Sequence, residues 1–236
     1  AVPRAVPGTI LGHEFVGVVE ETGKAVKQVK PGDRVAVNVE TYCGSCFYCE
    51  RGFVNNCSDP LGGWALGCRI DGGQAEYVRI PYGDNGLTKI PEHVSDEAAL
   101  FTGDLLSTGY WSAKIGEISK GDTVAVIGAG PTGLCTMMCA RLYEPGKIIA
   151  LDTDADRLKT ARENNLADFC INPAAISEKE LEEQILELSQ GRGADRVFEV
   201  AGGKDTFQTA WKIARPNAVV TVVAMYEEDQ ILPLPS

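Results

Sequence analysis

Four cysteines crowded into one short stretch are the first candidates for chemistry in this sequence. Cys43, Cys46, Cys49 and Cys57 follow the spacing C-x₂-C-x₂-C-x₇-C. Tetrahedral zinc prefers four sulfur or nitrogen ligands, and short spacings allow one loop to wrap around the ion. Because four thiolates leave no open position, the pattern predicts a structural zinc site rather than a catalytic one. A disulfide pair or an iron–sulfur cluster is the alternative.

A glycine-rich turn in the second half of the chain indicates phosphate binding. Gly128, Gly130 and Gly133 form G-x-G-x-x-G directly after an apolar strand-like run and before a helical one. Such a turn lets the backbone approach a pyrophosphate, and the free N–H groups of the helix start bind phosphates. Pro131 suits the first helical position, where no hydrogen bond is lost. We therefore expect a dinucleotide on this turn, including Thr132, with an empty βαβ turn as the alternative.

An acidic residue after the next strand bears on which dinucleotide is bound. Asp152 lies 19 residues after Gly133. A carboxylate there would accept hydrogen bonds from both ribose hydroxyls and would repel a 2′-phosphate, so NAD is expected rather than NADP. Arg157 is a further candidate, which either lies over the ribose or faces solvent. Asp154 and Asp156 are nearby acids that are expected to cap the following helix.

The order of strand-like and helical runs predicts an α/β protein with two domains of different kinds. In the first part, strands are predicted at 15–20, 34–39 and 74–80, a long loop at 41–72, and helical stretches within 95–114. From residue 121 onward, strands are predicted at 123–127, 147–151, 168–171, 196–200 and 218–224. Helices are predicted between them at about 131–143, 155–165, 177–190 and 205–215. Such alternation predicts a parallel sheet with right-handed crossovers.

Composition and charge argue against several classes of partner. The chain carries 22 basic and 33 acidic residues, a net charge of −11, and it has no Lys/Arg run, so no nucleic-acid partner is expected. The uncharged run 123–140 contains glycines and a proline that break a spanning helix, so no membrane partner is expected. No secretory signal opens the sequence, and the cysteine usage indicates a cytoplasmic protein. The expected partner is a small molecule.

Several ordered segments resemble the zinc-containing alcohol dehydrogenases of the medium-chain dehydrogenase/reductase family. Residues 12–19 (GHEFVGVV) are similar to the GHE segment of that family, and residues 30–35 (KPGDRV) to its K-x-G-D-R-V segment. Residues 73–78 (GQAEYV) resemble its G-x-A-E-Y strand, and the four-cysteine loop resembles its structural zinc lobe. The resemblance implies a β-rich GroES-like catalytic domain over 1–114. It also implies a Rossmann doubly wound parallel sheet over 115–236.

The resemblance also implies a second, catalytic zinc and names its residues. His13 corresponds to the histidine of GHE, and Asp104 to the ligand in the helical stretch before the cofactor domain. Glu14 is similar to the exchangeable or outer carboxylate of the family, and Thr108 falls where the family contacts the nicotinamide. An aspartate at 104 resembles the secondary-alcohol and formaldehyde-dehydrogenase-like branches. The implied activity is hydride transfer between NAD and a small alcohol, aldehyde or ketone, by a homo-oligomer (a dimer or tetramer).

Two alternatives stay open beside that activity. One is a polyol or amino-alcohol dehydrogenase of the same family, of the sorbitol or threonine type. The other is a non-catalytic dinucleotide-binding protein. Compared with the family pattern, the upstream catalytic cysteine, the last strand of the cofactor sheet and the C-terminal return are missing from the 236 residues. We therefore expect a fragment that, on its own, holds the catalytic zinc poorly and oxidises alcohols slowly.

Overall fold

The computed structural model describes residues 6–226 and residue 231. The chain divides into two compact units, Ala1–Asp104 and Leu105–Ser236. Each unit has its own core, and each is described by itself below. None of the helices in the described part of the chain is long and apolar enough to cross a membrane.

The first unit is built on a small antiparallel sheet. Its sheet strands are β1 (Val16–Val18), β2 (Arg34–Val37) and β5 (Leu87–Lys89), in the order β1-β2-β5. Two clusters of buried side chains pack on it, one around Val35 and the other around Ala36. Because successive residues of β2 point to opposite faces, this one strand contributes to both clusters.

Short elements complete the first unit. They are β3 (Glu40–Thr41), β4 (Gly63–Trp64), α1 (Gly83–Gly86) and α2 (Asp96–Leu100), with 3₁₀ turns at Cys49–Arg51, Val54–Asn56 and Phe101–Gly103. The stretch 41–72, predicted to be a loop throughout, therefore contains part of a two-stranded ladder. In that ladder Glu40 lies opposite Trp64 and Thr41 lies opposite Gly63. Two-residue strands are too short to show a periodic pattern, and they are therefore not predictable from hydrophobic periodicity.

The strand predicted at 74–80 is wrong, because no strand is assigned there. A cavity of about 590 Å³ is lined both by this segment and by β1, with several valines in its wall. The segment makes no ladder with that edge strand, whose assigned partner is β2. Only at its start does it pair, where Gln74 N donates to Leu11 O at 2.9 Å. A strand needs a partner ladder as well as β-branched residues, and here the ladder is missing.

The second unit is a five-stranded parallel sheet covered by helices on both faces. Its strands are β6 (Thr123–Ile127), β7 (Lys147–Leu151), β8 (Phe169–Ile171), β9 (Ala194–Glu199) and β10 (Ala214–Val222). The strand order is β10-β9-β6-β7-β8, and every pairing is parallel. This confirms the predicted alternation and the doubly wound sheet.

The helices of the second unit pack against the two faces of the sheet. They are α3 (Leu105–Ile115), α4 (Pro131–Ala140), α5 (Ala155–Glu163), α6 (Glu178–Leu188) and α7 (Thr206–Ile213), with 3₁₀ turns at Arg141–Tyr143 and Pro173–Ala175. Val124 and Val126 face the cluster that includes α4 and α5, whereas Ala125 and Ile127 face the cluster that includes α6 and α7. Both faces of the sheet are buried, which explains the unbroken apolar run of β6.

Several strands and helices begin or end one to four residues from their predicted bounds, and two regions show why. The helical stretch within 95–114 is two helices, α2 and α3, interrupted by a 3₁₀ turn and by Asp104, whose φ of −144° is not helical. The helix predicted at 205–215 ends at Ile213, because β10 begins at Ala214 instead of 218. Register in β10 shifts between Ala214 and Val219, so its first residues pair only loosely and carry no clear strand pattern.

A buried aspartate connects three strands of the second unit, β6, β9 and β10, through its hydrogen bonds. Asp195 in β9 accepts a hydrogen bond from Thr123 N at 2.8 Å and one from Arg215 Nε at 2.6 Å. Burial opposes ionisation of Asp195, but these donors outweigh it and lower the pKa of the carboxyl below its ordinary value. The charged form is therefore the one that stabilises the fold.

Replacing Asp195 with alanine should destabilise the second unit by about 1–3 kcal/mol at neutral pH, because two donors lose their acceptor. Since the folded-state pKa is lowered, the stabilisation is present above the unfolded-state pKa and is lost as the pH falls through the folded-state value. Urea unfolding of wild type and Asp195→Ala should therefore differ at pH 7, and the gap should begin to close only as the pH falls below about 4. Exposed Glu187→Ala is the control. A gap that is equally large at both pH values would contradict the assignment.

Candidate functional site

Three side chains of the first unit bring ligand atoms together. A nitrogen of His13 and carboxylate oxygens of Glu14 and Asp104 all lie within 4.8 Å of one another. His13 Nε2 and Asp104 Oδ2 are 3.2 Å apart, and these two side chains are about one-third and one-quarter exposed, at 31% and 26%. One imidazole nitrogen and two carboxylate oxygens are donors that zinc accepts, and partial exposure leaves a path for a further ligand. The donor set therefore fits a catalytic type of zinc site.

Electrostatics in this cluster favour a cation. The hydrogen bond to Asp104 raises the pKa of His13 above its ordinary value, while burial opposes the rise and the charge of Asp104 adds to it. The cluster thus stabilises positive charge on or beside the imidazole. A divalent cation between the same atoms would supply that charge itself and would favour the neutral, ligating imidazole.

Backbone pairing holds His13 in place. Gly72 N donates to Ile10 O at 2.8 Å, and Gly73 N donates to Gly12 O at 2.9 Å. The side chain of Asp71 closes this pairing, since its Oδ1 accepts from Ile10 N at 3.0 Å. The residues just before His13 are therefore fixed by a segment about 60 positions further along the chain.

Asp104 is positioned by the end of the 3₁₀ turn Phe101–Gly103. Val39 N donates to Gly103 O at 3.2 Å, so the turn is attached to the backbone that follows β2. A Cβ atom on Gly103 would lie 2.5 Å from Val37 O, which shows how closely the two backbones approach. The next residue, Asp104, leaves the helical conformation and thereby reaches His13.

Sequence reasoning missed two residues beside this cluster, Trp64 and Glu40. The rings of Trp64 and His13 make an edge-to-face contact with centroids 5.8 Å apart. Glu40 lies directly opposite Trp64 in the β3–β4 ladder. Burial raises the pKa of Glu40 to about 7, and the charge of Asp104 adds to this, whereas Arg69 and His13 oppose it. Both residues were hidden because the region around them was expected to be an irregular loop.

The four cysteines of the predicted structural zinc site lie together. All four Sγ atoms are within 4.8 Å of one another, with Cys46–Cys49 at 3.4 Å and Cys43–Cys49 at 4.0 Å. Zinc–sulfur bonds of about 2.3 Å in a tetrahedron place sulfurs about 3.8 Å apart. All eight cysteines are free, so the disulfide alternative is not formed here. The arrangement is compatible with zinc.

The thiols of the cluster have opposite tendencies to ionise. Backbone N–H groups, that of Ser58 foremost, lower the pKa of Cys46 to about 5. Burial, with the neighbouring sulfurs, raises the pKa of Cys49 to about 12. Thiolates this close together repel one another, so full ionisation of the set requires a cation among them.

In the second unit, the glycine turn is held by the adjacent strand. Gly128 N donates to Leu151 O, and Ala129 N donates to Asp152 Oδ2, both at 2.7 Å. Gly130 is the N-cap of α4 and Pro131 its first residue. A Cβ atom on Gly133 would lie 1.9 Å from Gly128 O, so only glycine allows the turn and the helix to approach this closely. The first N–H groups of α4 follow this turn directly, and the N-terminus of a helix is the kind of site that binds phosphates.

Comparison with known proteins identifies the family. Residues 2–92 match the Alcohol dehydrogenase GroES-like domain family, and residues 131–236 match the Zinc-binding dehydrogenase family. A medium-chain reductase/dehydrogenase from Acremonium sp. is 35% identical over 93% of this chain and 75% of that protein. The chain belongs to the zinc-containing alcohol dehydrogenases of the medium-chain dehydrogenase/reductase family.

Two further relatives match the same region of the chain. The NADP-dependent isopropanol dehydrogenase of Thermoanaerobacter brockii is 34% identical over 96% of this chain and 63% of that protein. The apo structure of zinc-dependent alcohol dehydrogenase 2 from Streptococcus pneumonia superposes with a TM-score of 0.90, at 38% identity, over 98% of this chain and 64% of that one. This chain spans 53% to 75% of the length of the curated relatives it matches. These matches confirm the GroES-like and Rossmann folds.

The remaining residues predicted to bind the cofactor lie in the second unit. The Asp152 side chain is nearly buried, 8% exposed, and its Oδ1 accepts from Asp154 N at 2.9 Å. Arg157 is 55% exposed, and its Nη1 lies 3.8 Å from Asp152 Oδ2. Asp154 caps α5, as expected. Thr132 lies in the first turn of α4, and Thr108 lies in α3.

Two alanine substitutions in the glycine turn should separate folding from dinucleotide binding. Gly133→Ala forces a clash with Gly128 O and should lower the stability of the second unit by about 1–3 kcal/mol. Gly130 has an ordinary extended conformation, with φ −68° and ψ −177° and only the Arg157 guanidinium near its Cβ position. Gly130→Ala should keep the stability within about 0.5 kcal/mol.

Gly130→Ala should nevertheless weaken NADH binding by at least about 10-fold, equivalent to ~1.4 kcal/mol, because a methyl group keeps the pyrophosphate from the backbone. Thermal unfolding and fluorescence titration of NADH measure the two effects. Unchanged NADH affinity in Gly130→Ala would place the dinucleotide elsewhere.

Proposed function

We propose that this protein is a zinc-dependent oxidoreductase that transfers a hydride between a nicotinamide dinucleotide and a small alcohol or its carbonyl product. The observation that carries the proposal is the convergence of His13, Glu14 and Asp104 within 4.8 Å. Packing alone gives no reason to bring two carboxylates and an imidazole together. Family membership supports zinc and a nicotinamide dinucleotide as the cofactors.

In this proposal, His13 and Asp104 hold the catalytic zinc, and Glu14 is the exchangeable or outer carboxylate. When bound, the metal lowers the pKa of an alcohol and polarises a carbonyl. His13 would ligate the metal as the neutral imidazole, and Asp104 through a carboxylate oxygen. Trp64, at the edge of the imidazole ring, restricts its orientation and covers one side of the site. The four cysteines hold a second, structural zinc.

The dinucleotide is assigned to the glycine turn of the second unit. Backbone N–H groups at the start of α4, including those of Thr132 and Gly133, bind the pyrophosphate, and Thr108 contacts the nicotinamide. Hydride chemistry belongs to the cofactor, while the protein sets its distance and orientation. Asp152 favours NAD over NADP, because its buried carboxylate would repel a 2′-phosphate. Arg157, at 3.8 Å from Asp152, offsets part of that repulsion.

The remaining expectations also belong to this proposal. The protein is cytoplasmic, its partner is a small alcohol or aldehyde, and it assembles as a dimer or tetramer. The GroES-like domain extends over 1–114 and the cofactor domain over 115–236. The Thermoanaerobacter relative supports a small secondary alcohol as one substrate to test.

Metal analysis of the full-length protein should find two zinc ions per wild-type subunit. Asp104→Ala should lose one of them, and kcat/KM for 2-propanol should fall by more than about 100-fold, beyond the loss from outer residues of zinc sites. Cys46→Ser should lose the other ion and lower the melting temperature, since a structural zinc contributes folding energy directly. Exposed Glu97→Ala, on α2, is the control for Asp104. A single zinc in wild type, lost in Cys46→Ser and kept in Asp104→Ala, would contradict a catalytic metal.

Asp152→Asn should shift the cofactor preference. The amide keeps one oxygen for Ala129 N but removes the negative charge, so NADH affinity should fall and NADPH affinity rise. We expect the ratio of the two Kd values to change by about 10-fold or more, from loss of a charged hydrogen bond and of repulsion. Fluorescence titration with both cofactors measures it, with exposed Asp156→Asn as a charge-matched control. Tighter NADPH than NADH binding by wild type would contradict the NAD assignment.

A further inference from the structure

Glu40 is a polar side chain of the first unit that the proposed mechanism does not use. Its Oε2 atom is buried, and it has no hydrogen-bond partner among the described residues. Its backbone N–H is satisfied, since it donates to Asn38 Oδ1 at 3.0 Å. Buried carboxylate oxygens in folded proteins are nearly always hydrogen-bonded, so an unpartnered one marks a place where a donor binds.

The ladder shows which way Glu40 faces. Directly opposed residues in an antiparallel pair project from the same face, so Glu40 and Trp64 share a side of the β3–β4 ladder. The Trp64 ring contacts the His13 ring on that side. The charges of His13 and Asp104 both act on Glu40. Its carboxylate therefore lies beside the metal-ligand cluster without belonging to it.

We propose that Glu40 is a specificity-determining residue that accepts a hydrogen bond from a second hydroxyl of the substrate, on the carbon next to the one oxidised. This inference rests on the proposed function, which places the reacting oxygen at the His13–Asp104 cluster. It assigns the substrate to the vicinal diols and polyols rather than to simple monohydric alcohols.

Charge balance favours a hydroxyl donor over an ammonium group. Glu14 and Asp104 contribute two negative charges when ionised, and Glu40, whose pKa is raised by burial, contributes at most a third. A divalent zinc and the guanidinium of Arg69, which interacts electrostatically with Glu40, contribute three positive ones. The site is then close to neutral and offers no excess negative charge for a cationic substrate. A neutral donor is the partner that such a site accepts best.

The test uses alcohols of one carbon skeleton with the full-length, zinc-loaded protein. The substrates are 2-propanol, 1,2-propanediol and 1-amino-2-propanol. Wild type should prefer the diol to 2-propanol in kcat/KM by about 10- to 100-fold, the range for a hydrogen bond to a charged group. Glu40→Ala should reduce that preference to about 1 to 2-fold, mainly by raising KM for the diol, and should leave 2-propanol turnover within about 3-fold.

Two further variants and a binding measurement complete the design. Glu40→Gln, with the same shape and one acceptor oxygen, should retain part of the preference and remains measurable if Glu40→Ala fails to fold. Exposed Glu92→Ala, in the same unit, should behave as wild type. Calorimetric titration of 1,2-propanediol without cofactor should show weaker binding in Glu40→Ala at unchanged zinc content.

The outcomes separate this inference from the proposed function. If 2-propanol is oxidised but the diol preference is absent, or survives in Glu40→Ala and Glu40→Gln, the specificity role is overturned and the proposed function stands. If Glu40→Ala loses more activity toward the amino alcohol than toward the diol, an ammonium ligand replaces the hydroxyl and the inference is overturned. If wild type oxidises none of the three and binds no diol, both are overturned.

Discussion

The approach of His13 Nε2 to Asp104 Oδ2, at 3.2 Å, is the contact on which the account of the first unit depends. With Glu14 in the same cluster, two carboxylates share a half-buried space with one imidazole. Carboxylates held this close repel one another unless a positive charge lies between them. Either a protonated imidazole or a metal cation can supply that charge. The zinc-containing family of the chain makes the metal the natural occupant.

Two backbone attachments in the first unit hold His13 and Asp104 in this contact. His13 depends on backbone pairing between residues 10–12 and 71–74, and Asp104 depends on a 3₁₀ turn attached to the end of β2. The segments that carry the two residues are about 90 positions apart in the chain. Rigid backbone on both sides fixes ligand atoms within fractions of an ångström, which metal sites require. In the second unit, Asp152 has two roles. Its carboxylate oxygens support the glycine turn, and in our proposal the same oxygens face the ribose.

Sequence reasoning succeeded where a local pattern dictates a local structure. The G-x-G-x-x-G turn, Pro131 at the helix start and the unbroken apolar run of β6 each follow from short-range geometry and burial. The cysteine spacing likewise brings four sulfurs together on one loop. The contact between His13 and Asp104 is different, since only the family resemblance linked two residues so far apart. Composition and periodicity do not report such long-range contacts.

The predictions from sequence were wrong where strand pairing, rather than the strand propensity of the residues, determines the secondary structure. Residues 74–80 carry β-formers but face a cavity instead of a partner strand. Conversely, Glu40–Thr41 and Gly63–Trp64 form a ladder too short to leave a pattern, and that ladder places Glu40 and Trp64 at the site. Glu40 and Trp64, which lie beside the proposed metal ligands, were therefore not predicted from the sequence. Whether a short segment becomes a strand depends on what lies beside it.

The central claim is that a metal lies between His13 and Asp104, and anomalous diffraction at the zinc absorption edge tests it most directly. The account predicts two peaks per chain, one inside the four-cysteine cluster and one about 2.0–2.2 Å from a His13 ring nitrogen and an Asp104 oxygen. A zinc-saturated crystal with a single peak, at the cysteines, and with His13 hydrogen-bonded directly to Asp104 would contradict it.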